Sequence, residues 1–155
     1  TYIHHSRQED AFTLFPLIAR CDLKQSLKSL SAMLGSGDSQ TPILLVSGLL
    51  WQFRRLLSIA EEMSLGSSES EAFAKATVQG KPSAIRKPKD KSTYHDAVQA
   101  YDIASVRRII TALAEADIQV KEASTELTPL ILERLLYRII KGKGQALHQA
   151  SFASF

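Results

Sequence analysis

The sequence predicts an all-α fold, a single bundle of six to seven helices, and three observations carry that expectation. Apolar residues recur at three-to-four spacing through most of the chain. Helix punctuation flanks those runs, with candidate N-caps at Asp22, Thr41, Ser68 and Asp102, prolines just inside two starts and glycines just past several ends. No run combines strict alternation, β-branched enrichment and hairpin turns, so no strand is assigned.

Taken in order, residues 1–7 match no helix start and read as the end of a preceding domain or linker. Ala11, Phe12, Leu14, Phe15 and Ile18 then place a helix over 8–19, in which Pro16 leaves a kink or a break open. Asp22, with Gln25 three residues on, opens an amphipathic helix carrying Leu23, Leu27, Leu30 and Leu34 and ending at Gly35. After a glycine-serine loop, Thr41 and Pro42 read as N-cap and first helical residue of the longest helix. Ile43, Val46, Leu49, Leu50, Phe53, Leu56, Leu57, Ala60 and Met63 make it apolar on more than one face, so it is expected at the centre, ending at Gly66.

Ser68 and Glu71 form a capping-box pattern for a short helix carrying Phe73 and Val78. Residues 80–93, with Gly80, Pro82 and Pro88 among lysines and arginine, read as a surface connector. A short helix then holds Tyr94, Val98 and Tyr101. Beyond the candidate cap Asp102, Ile103, Val106, Ile110, Leu113 and Val120 follow heptad-like spacing, with Asp117 in the seam. The last helix starts at Thr128 and Pro129, carries Leu132, Leu135, Leu136 and Ile139, and stops before Gly142. Residues 8–141 thus form one helical domain. Residues 142–155 form a C-terminal tail whose Leu147, Phe152 and Phe155 are its apolar members, and no repeat at 30–45 residues supports a solenoid.

Composition bounds the function. A chain of 155 residues, 45% hydrophobic and 23% charged, suits one globular domain that needs neither disulfide nor structural metal. The single cysteine, Cys21, excludes an intrachain disulfide and a multi-cysteine zinc site and fits a cytoplasmic setting. No window approaches 18 uninterrupted apolar residues and no signal-peptide profile opens the chain, so no membrane role is expected. The net charge of +3 is uneven: residues 1–80 carry 7 Lys and Arg against 8 Asp and Glu, and residues 81–155 carry 12 against 8. Such an excess tunes affinity for an acidic partner without forming the dense stripe of a nucleic-acid binder.

Catalytic patterns are missing. The nearest phosphate-loop match, Gly80-Lys81-Pro82, has Lys75 where the first glycine belongs and a proline where the hydroxyl belongs. Histidines 4, 5, 95 and 148 show no ligand spacing, so no metal or other cofactor is expected. Cys21 has no base near it in sequence. The candidate interface residues are Trp51, Arg54, Arg55, Phe152 and Phe155, because aromatics and arginine dominate interface hot spots; core packing is the alternative for Trp51, and solvation or salt bridging for the arginines. Asp117 and Lys121, four residues apart, read as a structural polar pair. Lys81, Arg86, Lys87, Lys89 and Lys91, against Asp90, read as a solvated loop or a contact for nucleic acid or another acidic partner, with Arg138, Lys141 and Lys143 as further cations for such a contact.

Read together, the segments resemble the C-terminal domain of the delta subunit of bacterial DNA polymerase III, the clamp loader. Leu49-Leu50-Trp51-Gln52-Phe53-Arg54-Arg55-Leu56-Leu57 is similar to the family's L-x-x-Q-F-R-x-L-L helix. Leu113 through Asp117 to Lys121 is similar to L-x-x-x-D-x-x-x-K, and Leu132-Glu133-Arg134-Leu135-Leu136 to the closing L-E-x-L-L. Phe15-Pro16-Leu17-Ile18 and the leucine-rich helix after it also fit. The likeness spans about 8–141 and departs in the long connector at 81–93 and in the tail. It implies a helical collar domain that assembles with the other loader subunits so that the sliding clamp is loaded on primed DNA during replication. Clamp contact would belong to N-terminal domains outside this sequence. The chain would be no enzyme by itself, but part of a DNA-directed DNA polymerase, a nucleotidyltransferase, holoenzyme. A helical adaptor outside replication and a weak nucleic-acid-binding domain are the alternatives.

Overall fold

The computed structural model describes residues 2–35 and 38–146, and side chains from residue 11 onward. Among these residues the chain forms α1 (Tyr2–Ala19), α2 (Leu23–Leu34), α3 (Thr41–Ser64), α4 (Glu69–Lys75), a hairpin of β1 (Thr77–Val78) and β2 (Lys81–Pro82), α5 (Pro88–Ala100), α6 (Ile103–Glu122) and α7 (Thr128–Ile140). The expected all-α bundle is therefore observed, with seven helices among the described residues and a two-strand hairpin added.

The sequence dictates several of the boundaries through hydrogen bonds that the helix ends would otherwise lack. Asp22 accepts from the Gln25 amide at 3.1 Å and Asp102 from the Ser105 amide at 2.8 Å. Ser68 and Glu71 close a reciprocal capping box, and hydrogen bonding from Ser68, its backbone amide foremost, holds the Glu71 carboxyl below its ordinary range. Gly66, at φ 104°, closes α3 in a Schellman arrangement, its amide donating to Met63 and that of Ser67 to Glu62.

Other boundaries differ from expectation. The helix expected from residue 8 already includes Tyr2, so residues 2–7 belong to α1 rather than to a linker, and Pro16 lies within α1 without ending it. Gln40, not Thr41, is the N-cap of α3. Val78 is not helical: Ala76 ends α4, and Gln79 and Gly80, both at positive φ, turn the chain into the hairpin. Strands of two residues are too short to show alternation, which is why periodicity missed them. The connector is shorter than expected because Pro88 starts α5. The tail also begins later, since residues 141–144 pack onto the bundle.

At the centre lies α3, flanked along its length by α6 and α1, with α4, α5 and β1 on its remaining sides; α7 packs against α2 and α6. By length and composition α3 could cross a membrane, and its central place accounts for that apolar sequence. Its core residues Leu45, Val46, Leu49, Phe53, Leu56 and Ile59 are essentially inaccessible. Phe53 meets Phe15 of α1 edge-on at 5.3 Å and Tyr101 at 5.9 Å, and Phe15 meets Tyr94 of α5 at 5.2 Å. Such pairs each add about 0.5–1.5 kcal/mol beyond area burial.

The closest helix approach is at Gly48, where a Cβ would sit 2.4 Å from Cβ of Ala11. Gly48→Ala therefore forces α1 away from α3, an overpacking that outweighs the helix propensity gained. The urea midpoint should fall by an amount equivalent to about 1–2 kcal/mol. An unchanged or raised midpoint would contradict this packing.

Candidate functional site

Arg55 is the most constrained polar side chain of the fold. It lies on α3 and is 9% exposed. Its Nε donates to the Ser83 carbonyl at 2.9 Å and its Nη2 to the Ala84 carbonyl at 2.7 Å. Its guanidinium carbon stands 5.2 Å from the ring centre of Trp51 and 5.3 Å from that of Tyr94. Burial of a guanidinium is tolerated here because charge-assisted hydrogen bonds and two aromatic faces replace its water. Arg55 is consequently not an interface residue with a free head group: it ties the segment after the hairpin to the central helix. Sequence reading missed this role because its partners are backbone carbonyls, which leave no residue signature.

The other candidate interface residues divide. Trp51 is half-buried, packed edge-on against Phe12 at 6.1 Å, and Arg54 is half-buried on the same helix. Phe152 and Phe155 lie outside the described residues. Among the described residues the exposed large apolar side chains are Leu127, Leu130 and Tyr137 at and along the outer face of α7, Ile118 on α6, Leu65 at the end of α3, and Phe12, the ring on which Trp51 packs.

Asp117 and Lys121 form an i, i+4 ion pair at 2.9 Å. The apolar seam does not include Asp117, however. Val106, Ile109, Leu113, Ala116 and Val120 are buried, so Ile109 and Ala116 replace the expected Ile110 and Asp117, and Asp117 stands beside the seam with its side chain 26% exposed. Both sets keep heptad spacing and share Val106, Leu113 and Val120; they differ in which neighbour completes each heptad, and the packing of α6 on α3 and α7 selects Ile109 and Ala116.

The cations of the connector do not form one patch. Lys81 is on the hairpin. Arg86 and Lys91 border a shallow hollow over Phe73 and Ile85. Lys87 and Lys89 face a different groove, between α1, α3 and α5. All five are exposed. Of the three further cations, only Lys141 is exposed. Arg138 donates to the Gly144 carbonyl at 3.0 Å and pairs with Glu115 at 3.3 Å.

Lys143 reaches Sγ of Cys21 at 3.1 Å and lies 4.3 Å from the Tyr101 ring centre. The Tyr101 hydroxyl donates to the Ile18 carbonyl at 2.7 Å, and burial, followed by the contact with Cys21, pushes its pKa above the ordinary tyrosine value. Gly144, at φ 89°, seats against the backbone of Arg108 and Ile109, and Arg108 donates to the Lys143 carbonyl at 3.2 Å. Cys21 and Lys143 thus join the turn after α1 to the chain that follows α7. Among the described residues no group of three metal-ligating side chains occurs.

One titratable contact joins α4 to α5. His95 Nδ1 lies 2.9 Å from Glu69, and the hydrogen bond, then the charge, of that carboxylate raise the imidazole above its ordinary 6.5. A raised folded-state value means the contact stabilises fully below the unfolded value near 6.5 and fades as pH rises through the raised one. In an NMR titration the His95 ring should therefore titrate above 6.5, and Glu69→Gln should lower its midpoint toward the ordinary value. An equal midpoint in both proteins would contradict the pairing.

Comparison of the chain with protein families, with characterised proteins and with solved structures finds no match, so the site is read from the chain's own geometry.

Proposed function

We propose that this chain is a non-catalytic assembly domain, the collar of a clamp-loader delta subunit, which holds to the other loader subunits through its helical surface. The observation that supports it best is the outer face of α7. Leu127, Leu130, Arg134, Tyr137 and Lys141 recur at three-to-four spacing, and all five are exposed. The opposite face of the same helix buries Leu132, Leu135, Leu136 and Ile139. A helix carrying a second apolar stripe, with arginine and tyrosine in it, has the composition of a protein-protein contact. The motifs at 49–57, 113–121 and 132–136 add the resemblance to the delta subunit, and α3 and α7, which carry the first and last of them, belong to one bundle.

In this reading the chain catalyses nothing. Its buried side supplies rigidity, and its α7 face supplies the contact. DNA contact by Lys81 and the cations of 86–91 would be an addition to that role.

Mixed at micromolar concentration with the C-terminal domains of the other loader subunits, the chain should elute from gel filtration as a larger complex. Leu130→Glu with Tyr137→Glu should weaken the complex about 30-fold or more, as expected for hot-spot residues, while leaving the thermal midpoint of the free chain unchanged. Separate elution of the unaltered chain would contradict the collar reading and favour a helical adaptor outside replication.

A further inference from the structure

The groove between α1, α3 and α5 has features that assembly does not use. It measures about 740 Å³, within the range of small-molecule sites. The exposed ring of Phe12 and the half-buried Leu17 supply apolar wall, with the buried ring of Phe15 behind them. Two side chains lining it, Gln52 and Tyr94, are each only 3% exposed; Oε1 of Gln52 has no hydrogen-bond partner, and the hydroxyl of Tyr94 has the Arg55 guanidinium as its polar neighbour but no well-formed hydrogen bond. Burial raises the Tyr94 pKa above the ordinary tyrosine value, so this hydroxyl keeps its proton and can donate. Buried polar atoms left unpaired are costly, and unpaired atoms lining one groove point to a ligand that supplies their partners.

The rim of the groove has the opposite electrical character to the mouth of an acidic site. Arg20, Lys87 and Lys89 line it together with the single carboxylate Asp90. Lys87 is also the N-cap of α5, and no side chain caps that helix start. Lysine has no acceptor to offer. The positive end of α5 and two lysines therefore meet at one edge of the groove, the arrangement that takes a phosphate.

We propose that this groove binds a phosphorylated nucleoside: the phosphate at the uncapped start of α5 between Lys87 and Lys89, and the base on the exposed ring of Phe12 with its polar edge toward Gln52 and Tyr94. A nucleobase combines a flat apolar face with donors and acceptors on its edge, matching a wall that is aromatic and a floor that holds an acceptor and a hydroxyl. The assignment concerns binding and includes no bond breaking. It does not depend on the collar reading. A free nucleoside monophosphate and the 5′-terminal nucleotide of a single strand share this chemistry.

The test is a ¹H–¹⁵N NMR titration of the whole chain with thymidine 5′-monophosphate, thymidine, inorganic phosphate and a short 5′-phosphorylated oligonucleotide. The indole of Trp51, the only tryptophan, packs on Phe12 and Arg55 at the groove and serves as reporter. Saturable shifts with the monophosphate are expected, with thymidine and phosphate alone each weaker by about 10-fold or more. Lys87→Glu with Lys89→Glu should remove that advantage over thymidine while preserving the fold, because acidic side chains suit a helix start. Gln52→Met, which deletes the unpaired acceptor, should weaken nucleoside binding and raise the thermal midpoint of the free chain. Tighter binding of the oligonucleotide would support the site and assign it to strand ends; tighter binding of the monophosphate would assign it to the free nucleotide. The proposal is overturned by no saturable shift with the monophosphate or the oligonucleotide, by an equal response to inorganic phosphate alone, or by an undiminished response in the lysine double variant.

Discussion

A buried guanidinium must replace the water it gives up, and that requirement at Arg55 organises the half of the fold that sequence periodicity reads least well. The segment at 83–87 has no regular structure, and two of its carbonyls are held by one side chain of the central helix. Trp51 and Tyr94 both lie against that guanidinium, so a single side chain joins α3, the residues after the hairpin and α5, beside the backbone hydrogen bonds from Ser83 to Ala76 and from Ile85 to Phe73. Neutral apolar replacements of buried charges are often tolerated when both partners go. Here the partners are backbone carbonyls and cannot be replaced, so losing Arg55 leaves them unpaired. A lysine in its place could not reproduce two directed hydrogen bonds with a planar stack.

The same device recurs at the other end of the molecule. Arg108 and Arg138 donate to the carbonyls of Lys143 and Gly144, and Lys143 itself turns inward onto Cys21 and Tyr101. Three of the twelve cations that make the second half of the sequence basic are thus engaged in closing the bundle. The positive charge counted from the sequence is therefore not the charge presented to a partner. This physical reason, together with the split of the connector cations between two surfaces, makes the exposed α7 stripe a better guide to binding than net charge.

How much was legible follows from where the information lies. Local hydrogen-bond chemistry is written in adjacent residues, so Asp22, Ser68, Asp102 and Gly66 marked their helix ends correctly. Burial on a long helix is written in its period, so α3 was placed at the centre. Long-range backbone contacts are written nowhere local. Arg55 looked like an interface or solvated arginine, Gly144 carried no signal, and Gln52 looked like part of a motif, because what each touches is brought to it by the fold. The heptad reading of α6 held at Val106, Leu113 and Val120 and missed the positions between them: i+3 and i+4 both neighbour a helical residue, and only packing against α3 and α7 selects Ile109 and Ala116 over Ile110 and Asp117.

Native-state hydrogen exchange on Arg55→Met, set beside the unaltered chain, shows whether Arg55 holds the hairpin and α5 to the central helix. Two charge-assisted hydrogen bonds lost to a still-buried site should remove about 3 kcal/mol from the local opening of the segment they hold. Amide protection in the hairpin and α5 should then fall by about 100-fold, with smaller losses in α3, α6 and α7. A uniform fall across all helices, or no fall in α5, would contradict the account of Arg55 as the tie between the central helix and this segment.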